Sequence, residues 1–593
     1  MCYRLWLMFL LIIWVLSPLL SPDELGLSAW CVPDYLAERV VCQIQAQRRM
    51  HWLPRRAYTR RRHSRCRGSA RQQTERAEAQ PASTSPDGQS TVDPPAGNLP
   101  NKRLPVNHPQ RWGLTPELSQ ELPEQLHDFW QRFYGCFKTQ TRNDGGYAYH
   151  YLSALLRMET KRNYTNIGQA TGVPGENVQH FMSKSPWVTQ TVLKQVREEI
   201  KATPGLQRGG MLLLDESADE TAGDKKAGAG RQYNGRLGKV DLSQIGVFLA
   251  YVNLTDIRRP VWTWVDGELF LQEHWFSPEM AEMRQRVGLS PDIKFETKIE
   301  LGLKMILRMK TQGLPFEAVG CDDLYGRSTQ FRDRLSKEDI IYMADVPRNT
   351  QVYLEKPVLG VPQPKPGHKR RRPTRLKVLN GVKPFKAHQL IRHPDTVWKH
   401  VRGRPIERGE LNDPFTARRV WSLREGDAKP VEEWLLIRRE SPNRHSYSLS
   451  NAPASFPLKD LAWLKCQRYF VERSNQDAKS EAGWDELQAQ KYRGWEHHLA
   501  LVILAIWFVA QVKWSWGQKC TRDPALAQHF EVEVLPALSM ANIRTFLRAA
   551  MPLHQPTPEE AVALVASRLV NRTRSRKSRL KRQKASYQAL APP

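Results

Sequence analysis

Two short stretches, Met211-Leu212-Leu213-Leu214-Asp215 and Ala318-Val319-Gly320-Cys321-Asp322, decide how this chain is read. Each is an apolar run closed by an aspartate, the pattern of a buried strand whose end meets the rim of a sheet, where ligands collect. A third acid, Glu472, lies in Arg468-Tyr469-Phe470-Val471-Glu472, with Lys479 seven residues on. Spacings of 4 and 7 place Arg468, Glu472 and Lys479 on one face of a helix. Alone, such a stripe is a surface salt-bridge ladder that contributes little. Facing two strand-end aspartates, the glutamate completes an oxygen-rich pocket suited to Mg²⁺. Carboxylates held that close resist ionising together, so the pocket calls for cations. Two metals there would activate a water and stabilise the leaving oxygen of a phosphodiester.

Working outward, residues 245–252 (IGVFLAYV) and 261–271 (VWTWVDGELFL) are rich in β-branched and aromatic residues and read as strands. A helix is expected over 296–312, followed by the strand ending at Asp322 and another at 340–346. Three strands, a crossover helix and further strands form the order of an RNase-H-like core, in which the first and fourth strands are neighbours. Asp215 and Asp322 are then expected to face each other. The fold class is therefore α/β: an RNase-H-like catalytic core with an inserted β-rich subdomain, flanked by N-terminal and C-terminal helical regions. The core occupies 206–347 and resumes at 461–518 with Glu472. Strand-like pieces between them (TVWKHV, ARRVWSL, EEWLLIRR, SYSLS) and the basic run Lys369-Arg370-Arg371-Arg372 define the insertion at 348–460. Residues 499–512 are apolar all round but too short for a membrane span, which reads as a buried helix. Residues 519–593 supply C-terminal helices and a basic tail, Arg568–Lys584, expected to be mobile and to bind phosphate.

The 593 residues carry a formal net charge of +28 with a pI near 9.8, and 40% of them are hydrophobic. Several cores are expected at this length, and the charge favours a polyanionic partner. Nineteen Trp offer faces on which unstacked bases can lie, although most belong to the core. Eight Cys without a C-x-x-C pair exclude a zinc ribbon and suggest a reducing compartment. Residues 5–20 are strongly apolar yet short for a span and resemble a signal-peptide core. Residues 48–67 then carry nine Arg, and 78–100 are low in complexity. The region 1–104 is thus a basic extension, either an anchor with a spacer or an over-extended start of the reading frame.

Order begins near 105, and 105–205 reads as a helical DNA-binding region, with Phe129, Trp130, Phe133 and Phe137 at helical spacing. Within it, Tyr164–Lys184 resembles a helix-turn-helix, turned at Gly172-Val173; two packed helices of no special role fit equally well. The glycine-rich loop 222–238 matches neither nucleotide-binding fingerprint, and its Arg231, Arg236 and the adjoining Lys239 are candidate DNA contacts. Asp323 neighbours the motif position without occupying it. His497 and His498 look like a ligand pair but read better as capping or interface histidines.

The stretch Asp215–Asn253, together with ELFLQEHW (268–275), Asp322-Asp323-Leu324-Tyr325-Gly326 and RGWEHHLALVILA (493–505), resembles bacterial insertion-sequence transposases of the DDE class. The resemblance covers roughly 115–585. It implies that Asp215, Asp322 and Glu472 bind metal, two Mg²⁺ ions for which Mn²⁺ can substitute. It implies double-stranded DNA as partner, both terminal inverted repeats and target, and a homodimer in the synaptic complex. Neither a small-molecule substrate nor a membrane is implied, and the setting is the bacterial cytoplasm at the nucleoid. The alternative is a catalytically inactive DNA-binding protein derived from a transposase. The family signature of Tyr, Arg three residues on, Glu four later and Lys seven later is met at Arg468, Glu472 and Lys479. Lys465 replaces the tyrosine and would contact phosphate as a point charge. Relatives place a β-rich insertion between the second Asp and the Glu and use one of its tryptophans to stack a flipped base; Trp398, Trp421 and Trp434 are the candidates.

Overall fold

The computed structural model describes residues 104–593, apart from 222, 257–258, 363–374, 407–408, 425–428 and 591–593. The apolar stretch 5–20, the extension expected over 1–104 (to residue 103) and the basic run 369–372 lie outside the described residues.

The centre of the fold is β1 (Gly210–Glu220), whose first five residues are buried. It pairs antiparallel with β3 (Lys239–Asn253), which carries both β2 (Gly230–Asn234) and β4 (Val261–Phe270). On its other side β1 runs parallel to β5 (Ala318–Cys321), and β5 runs parallel to β6 (Ile341–Val346). Parallel neighbours need a long crossover. It contains the helix Lys298–Thr311, whose start is fixed by a capping box between Thr297 and Glu300. The expected adjacency of the first strand and the strand ending at Asp322 is what the sheet shows.

One expectation needs correcting. β1 does not stop at Asp215 but continues to Glu220, because its partner β3 is 15 residues long and keeps the ladder going. The parallel pairing with β5 does stop there: its last register pair is Leu214 with Cys321. Asp215 and Asp322 are the next residue on each strand.

The strands at β7 (Lys399–Ile406), β8 (Gly409–Leu423), β9 (Pro430–Ser441) and β10 (Arg444–Ser450) form an antiparallel meander. β10 pairs with β6, so the meander extends the central sheet to ten strands. A buried carboxylate joins meander to core: Glu433 on β9 meets the guanidinium groups of Arg332 at 3.2 Å and Arg424 at 3.6 Å.

The main helices before the sheet are α1 (Leu122–Phe133), α2 (Gly145–Arg157), α3 (Tyr164–Thr171), α4 (Gly175–Ser183) and α5 (Thr189–Ala202). Phe129, Phe133 and Phe137 are buried in their core. Gly172, at φ 74°, ends α3 in the left-handed conformation that glycine adopts without strain, and Gly175 begins α4. The helix α6 (Lys298–Thr311) lies in the crossover described above. Two helices follow the meander, α7 (Leu458–Cys466) and α8 (Tyr469–Gln476).

The long helix α9 (Tyr492–Lys519) buries every residue from Leu499 to Ala510. By length and composition it could cross a membrane, yet it lies against α2, α4, α5 and β4 as a core helix. The chain closes with α10 (Met540–Ala550) and α11 (Pro558–Leu590). The latter is one continuous helix over the residues expected to form a basic tail. With no glycine or proline between Pro558 and Leu590, nothing in its sequence interrupts the backbone ladder.

Candidate active site

Asp322 follows the last residue of β5 and caps the one-turn helix Asp323–Gly326, accepting the Leu324 and Tyr325 amides at 3.0 and 3.4 Å. Its neighbour Asp323 points elsewhere and pairs with Arg327 at 2.8 Å. The DLYG turn is tightly seated: a Cβ on Gly326 would stand 1.9 Å from the Asp345 carbonyl oxygen. Asp215 is half-buried on β1 and accepts the amide of Glu216 at 2.8 Å. Burial, partly offset by Arg468 and reinforced by Asp322, pushes the Asp215 carboxyl up to about 7. Burial likewise raises Asp322 to about 6 against the pull of Arg468, and Glu216 adds to the rise. Two carboxyls reluctant to ionise, side by side, describe a pocket that calls for positive charge.

In this structure Arg468 supplies it. Burial disfavours its charge, but Asp345, Asp215, Asp322 and Glu472 outweigh that and raise its pKa. Its Nε lies 3.3 Å from Asp345 and its Nη1 3.7 Å from Glu472. The expected stripe is therefore half realised. Arg468 and Glu472 pair across one turn, whereas Lys479 sits beyond the end of α8 in a π-helical turn, Asp477–Glu481. There Lys479 pairs with Asp219, further along β1, at 2.6 Å and donates to the Ala218 carbonyl at 3.1 Å.

Lys465 departs further from its expected role as a phosphate contact. Its side chain is only 6% exposed and its Nζ lies 2.5 Å from Asp345. Burial and a dedicated partner turn it inward, so it braces the site from within. Arg231, Arg236 and Lys239 are exposed on the β2–β3 hairpin. Arg236 pairs with Glu220 at 2.5 Å, and Lys239 with Asp241 at 2.9 Å. Glu220 is five residues beyond Asp215 on β1, which puts this basic hairpin ~17 Å along the strand from the carboxylates.

Sequence reasoning missed Asp345 and Asp219. Asp345 lies in β6 and joins three elements: it accepts the Ser448 hydroxyl from β10 at 2.7 Å, Lys465 from α7 and Arg468 from the start of α8. An acid within the apolar stretch 340–346 was the one available signal. His497 and His498 are not placed for a metal. His497 stacks on Trp187 at 3.7 Å and His498 bonds the Tyr151 hydroxyl at 2.9 Å; burial pushes both down to about 4. The three insertion tryptophans each lie against a cation: Arg439 over Trp398, Lys356 over Trp421 and Arg419 over Trp434.

Asp215 and Asp322 offer hard oxygen donors in an electron-rich, half-buried setting, which fits a divalent cation such as Mg²⁺. Glu472 does not join them in the described geometry. Its side chain is 63% exposed and turned to Arg468, and among the described residues no three His, Cys, Asp or Glu side chains gather as a metal-holding group. The aspartate pair fits a metal, and the glutamate would have to leave Arg468 to share it.

An RNase-H-like sheet with an aspartate beyond each of two paired parallel strands is the framework of a DDE nuclease, and residues 132–410 match the family model of the DDE superfamily endonucleases. Both aspartates fall inside that match and Glu472 outside it. The chain is also 27% identical over 208 residues to a probable transposase for insertion sequence element IS701 from Microchaete diplosiphon, a match over 35% of this chain. The aligned part spans half the length of that relative. By these matches the chain is similar to DDE endonucleases and to an insertion-sequence transposase.

Proposed function

We propose that this chain is a metal-dependent DDE transposase that binds the terminal inverted repeats of an insertion sequence, cleaves DNA there and joins the freed end to a target. The observation that carries the reading is the placement of Asp215 and Asp322 beyond the last paired residues of two parallel strands, with Arg468 facing both. Asp215 and Asp322 hold the metal, two Mg²⁺ ions in the full complex with Mn²⁺ as substitute, and Glu472 completes the set once released from Arg468. Bound there, the metal would activate a water, and later the 3′-hydroxyl of the cut DNA strand, and would neutralise charge on the leaving oxygen.

Arg468 then exchanges partners. Its guanidinium, held against four carboxylates without DNA, turns to a backbone phosphate, which it can bind through two parallel hydrogen bonds. Asp345 and Lys465 limit that movement by fixing one side of the group. The hairpin carrying Arg231, Arg236 and Lys239 meets the duplex beside the cut and adds salt-dependent affinity. Two copies of the chain, each holding one element end, form the synaptic complex.

The test is strand cleavage of a labelled duplex carrying the element's own terminal repeat, with Mg²⁺, with EDTA and with Glu472→Gln. Nicking at the repeat boundary that EDTA and the substitution both abolish is expected. Nicking that survives either one would refute the assignment.

A further inference from the structure

Helix α11 spans 33 residues, and every residue from Val565 to Gln583 is exposed. After Glu560 the chain has no acidic residue, while Arg568–Arg582 contains eight cations. Among the described residues no carboxylate pairs with any of them. Arg568 instead bonds the Gln169 side chain at 3.3 Å, which sets the basic segment beside α3 of the helix-turn-helix pair.

The arrangement of the charge is more informative than its amount. At about 100° per residue, Arg568, Arg572, Arg576, Arg579 and Arg582 fall within an arc of roughly 120°. Arg574, Lys577 and Lys581 fall on the opposite side, with the two stripes centred roughly 190° apart. Cations four residues apart within a stripe, such as Arg572 and Arg576 or Lys577 and Lys581, repel and weaken an isolated helix. A helix lying along one phosphate strand gains from one stripe only. Two opposed stripes call for phosphates on two sides.

We propose that α11 enters the major groove of duplex DNA, with a phosphate strand against each stripe. That groove, about 12 Å wide, admits one α-helix between its two phosphate walls. The basic segment is about 22 Å long, roughly two thirds of a duplex turn. The major groove of an RNA duplex is deep and narrow and does not admit a helix. This inference deepens the transposase reading by naming a surface that grips the duplex, and it rests on that reading only for the choice of DNA as ligand.

The test uses the full chain, a fluorescent 30-base-pair DNA duplex without element sequence, and an RNA duplex of the same sequence. One variant combines Arg572→Gln, Arg576→Gln and Arg579→Gln; a second combines Arg574→Gln, Lys577→Gln and Lys581→Gln. Each is expected to weaken DNA binding to a similar extent and to lower the slope of log affinity against log salt by about 2 to 3, one step of ~0.9 for each phosphate no longer neutralised. The RNA duplex is expected to bind at least tenfold more weakly than the DNA. Loss confined to one variant, no loss in either, or equal binding of DNA and RNA would overturn groove entry. Cleavage by the unaltered chain is scored in parallel on a terminal-repeat duplex. Both stripes mattering without any cleavage would refute the catalytic reading alone, and cleavage with indifferent stripes would refute this inference alone.

Discussion

Asp345→Asn should be among the most damaging single changes near the site, even though Asp345 is absent from the acidic triad. Its carboxylate lies 2.5 Å from Lys465 Nζ and 3.3 Å from Arg468 Nε, with side-chain exposures of 17% for Asp345, 6% for Lys465 and 26% for Arg468. Removing one partner of a buried ion pair costs ~3–5 kcal/mol, chiefly because the other charge is left uncompensated. Asparagine keeps an oxygen for Ser448 and Lys465, and Arg468 retains Asp215, Asp322 and Glu472, so the lower end, ~3 kcal/mol, is expected. Lys465→Met removes the stranded ammonium while filling its space. In a double-mutant cycle followed by urea unfolding, the pair should be at least ~2 kcal/mol more stable than the sum of the single losses. A coupling below ~0.5 kcal/mol would mean that the two groups act independently, and would refute the view that Lys465 is a braced interior charge.

Other consequences follow from the same geometry. Without metal, Asp215 and Asp322 are raised from 3.8 to about 7 and about 6 in the folded chain. The folded state therefore binds more protons than the unfolded one across pH 4–7, and these two groups make stability fall as pH rises through that window. Asp215→Asn should flatten the fall between pH 5 and 7 relative to the unaltered chain, read as thermal midpoints in EDTA; an unchanged profile would show that the carboxyl is not raised. Gly326→Ala places a Cβ 1.9 Å from the Asp345 carbonyl oxygen. Backbone cannot yield there cheaply, so a loss of ~3 kcal/mol or more is expected in urea unfolding, and a loss below ~1 kcal/mol would show that the turn relaxes. Tyr151→Phe leaves the buried His498 Nδ1 without its 2.9 Å partner and should cost ~1–3 kcal/mol with no effect on DNA affinity; weakened DNA binding would assign this pair a role beyond the core.

The reach and the limit of the sequence both trace to range. MLLL and AVGC are legible as strands because an uninterrupted apolar run of that length between breakers has few other uses. The helix between them forces a parallel pairing, and the adjacency of Asp215 and Asp322 follows. What happens past Asp215 is not legible, because whether β1 continues depends on the length of β3. The spacing of Arg468, Glu472 and Lys479 carries the local pair and not the long-range one: Lys479 answers to Asp219, 260 residues away, across a π-helical turn that no periodicity announces. Lys465 looks like a surface cation because lysine usually is one, and its burial requires Asp345 from a strand 120 residues earlier. The strands of 399–450 are legible one by one, but their attachment to β6 through β10 rests on a register that only the folded sheet defines.

The central claim, that Asp322 and Asp215 hold the metal that cuts DNA, is tested most directly by changing the donor atom. Asp322→Cys replaces a hard oxygen with a softer sulfur, which Mg²⁺ accepts poorly and Mn²⁺ tolerates better. Strand cleavage of the terminal-repeat duplex should fall by at least a hundredfold in Mg²⁺ and recover by tenfold or more when Mn²⁺ replaces it, with DNA affinity unchanged. Cleavage that is equally active in both metals, or equally lost in both while the folded chain still binds DNA, would contradict the account.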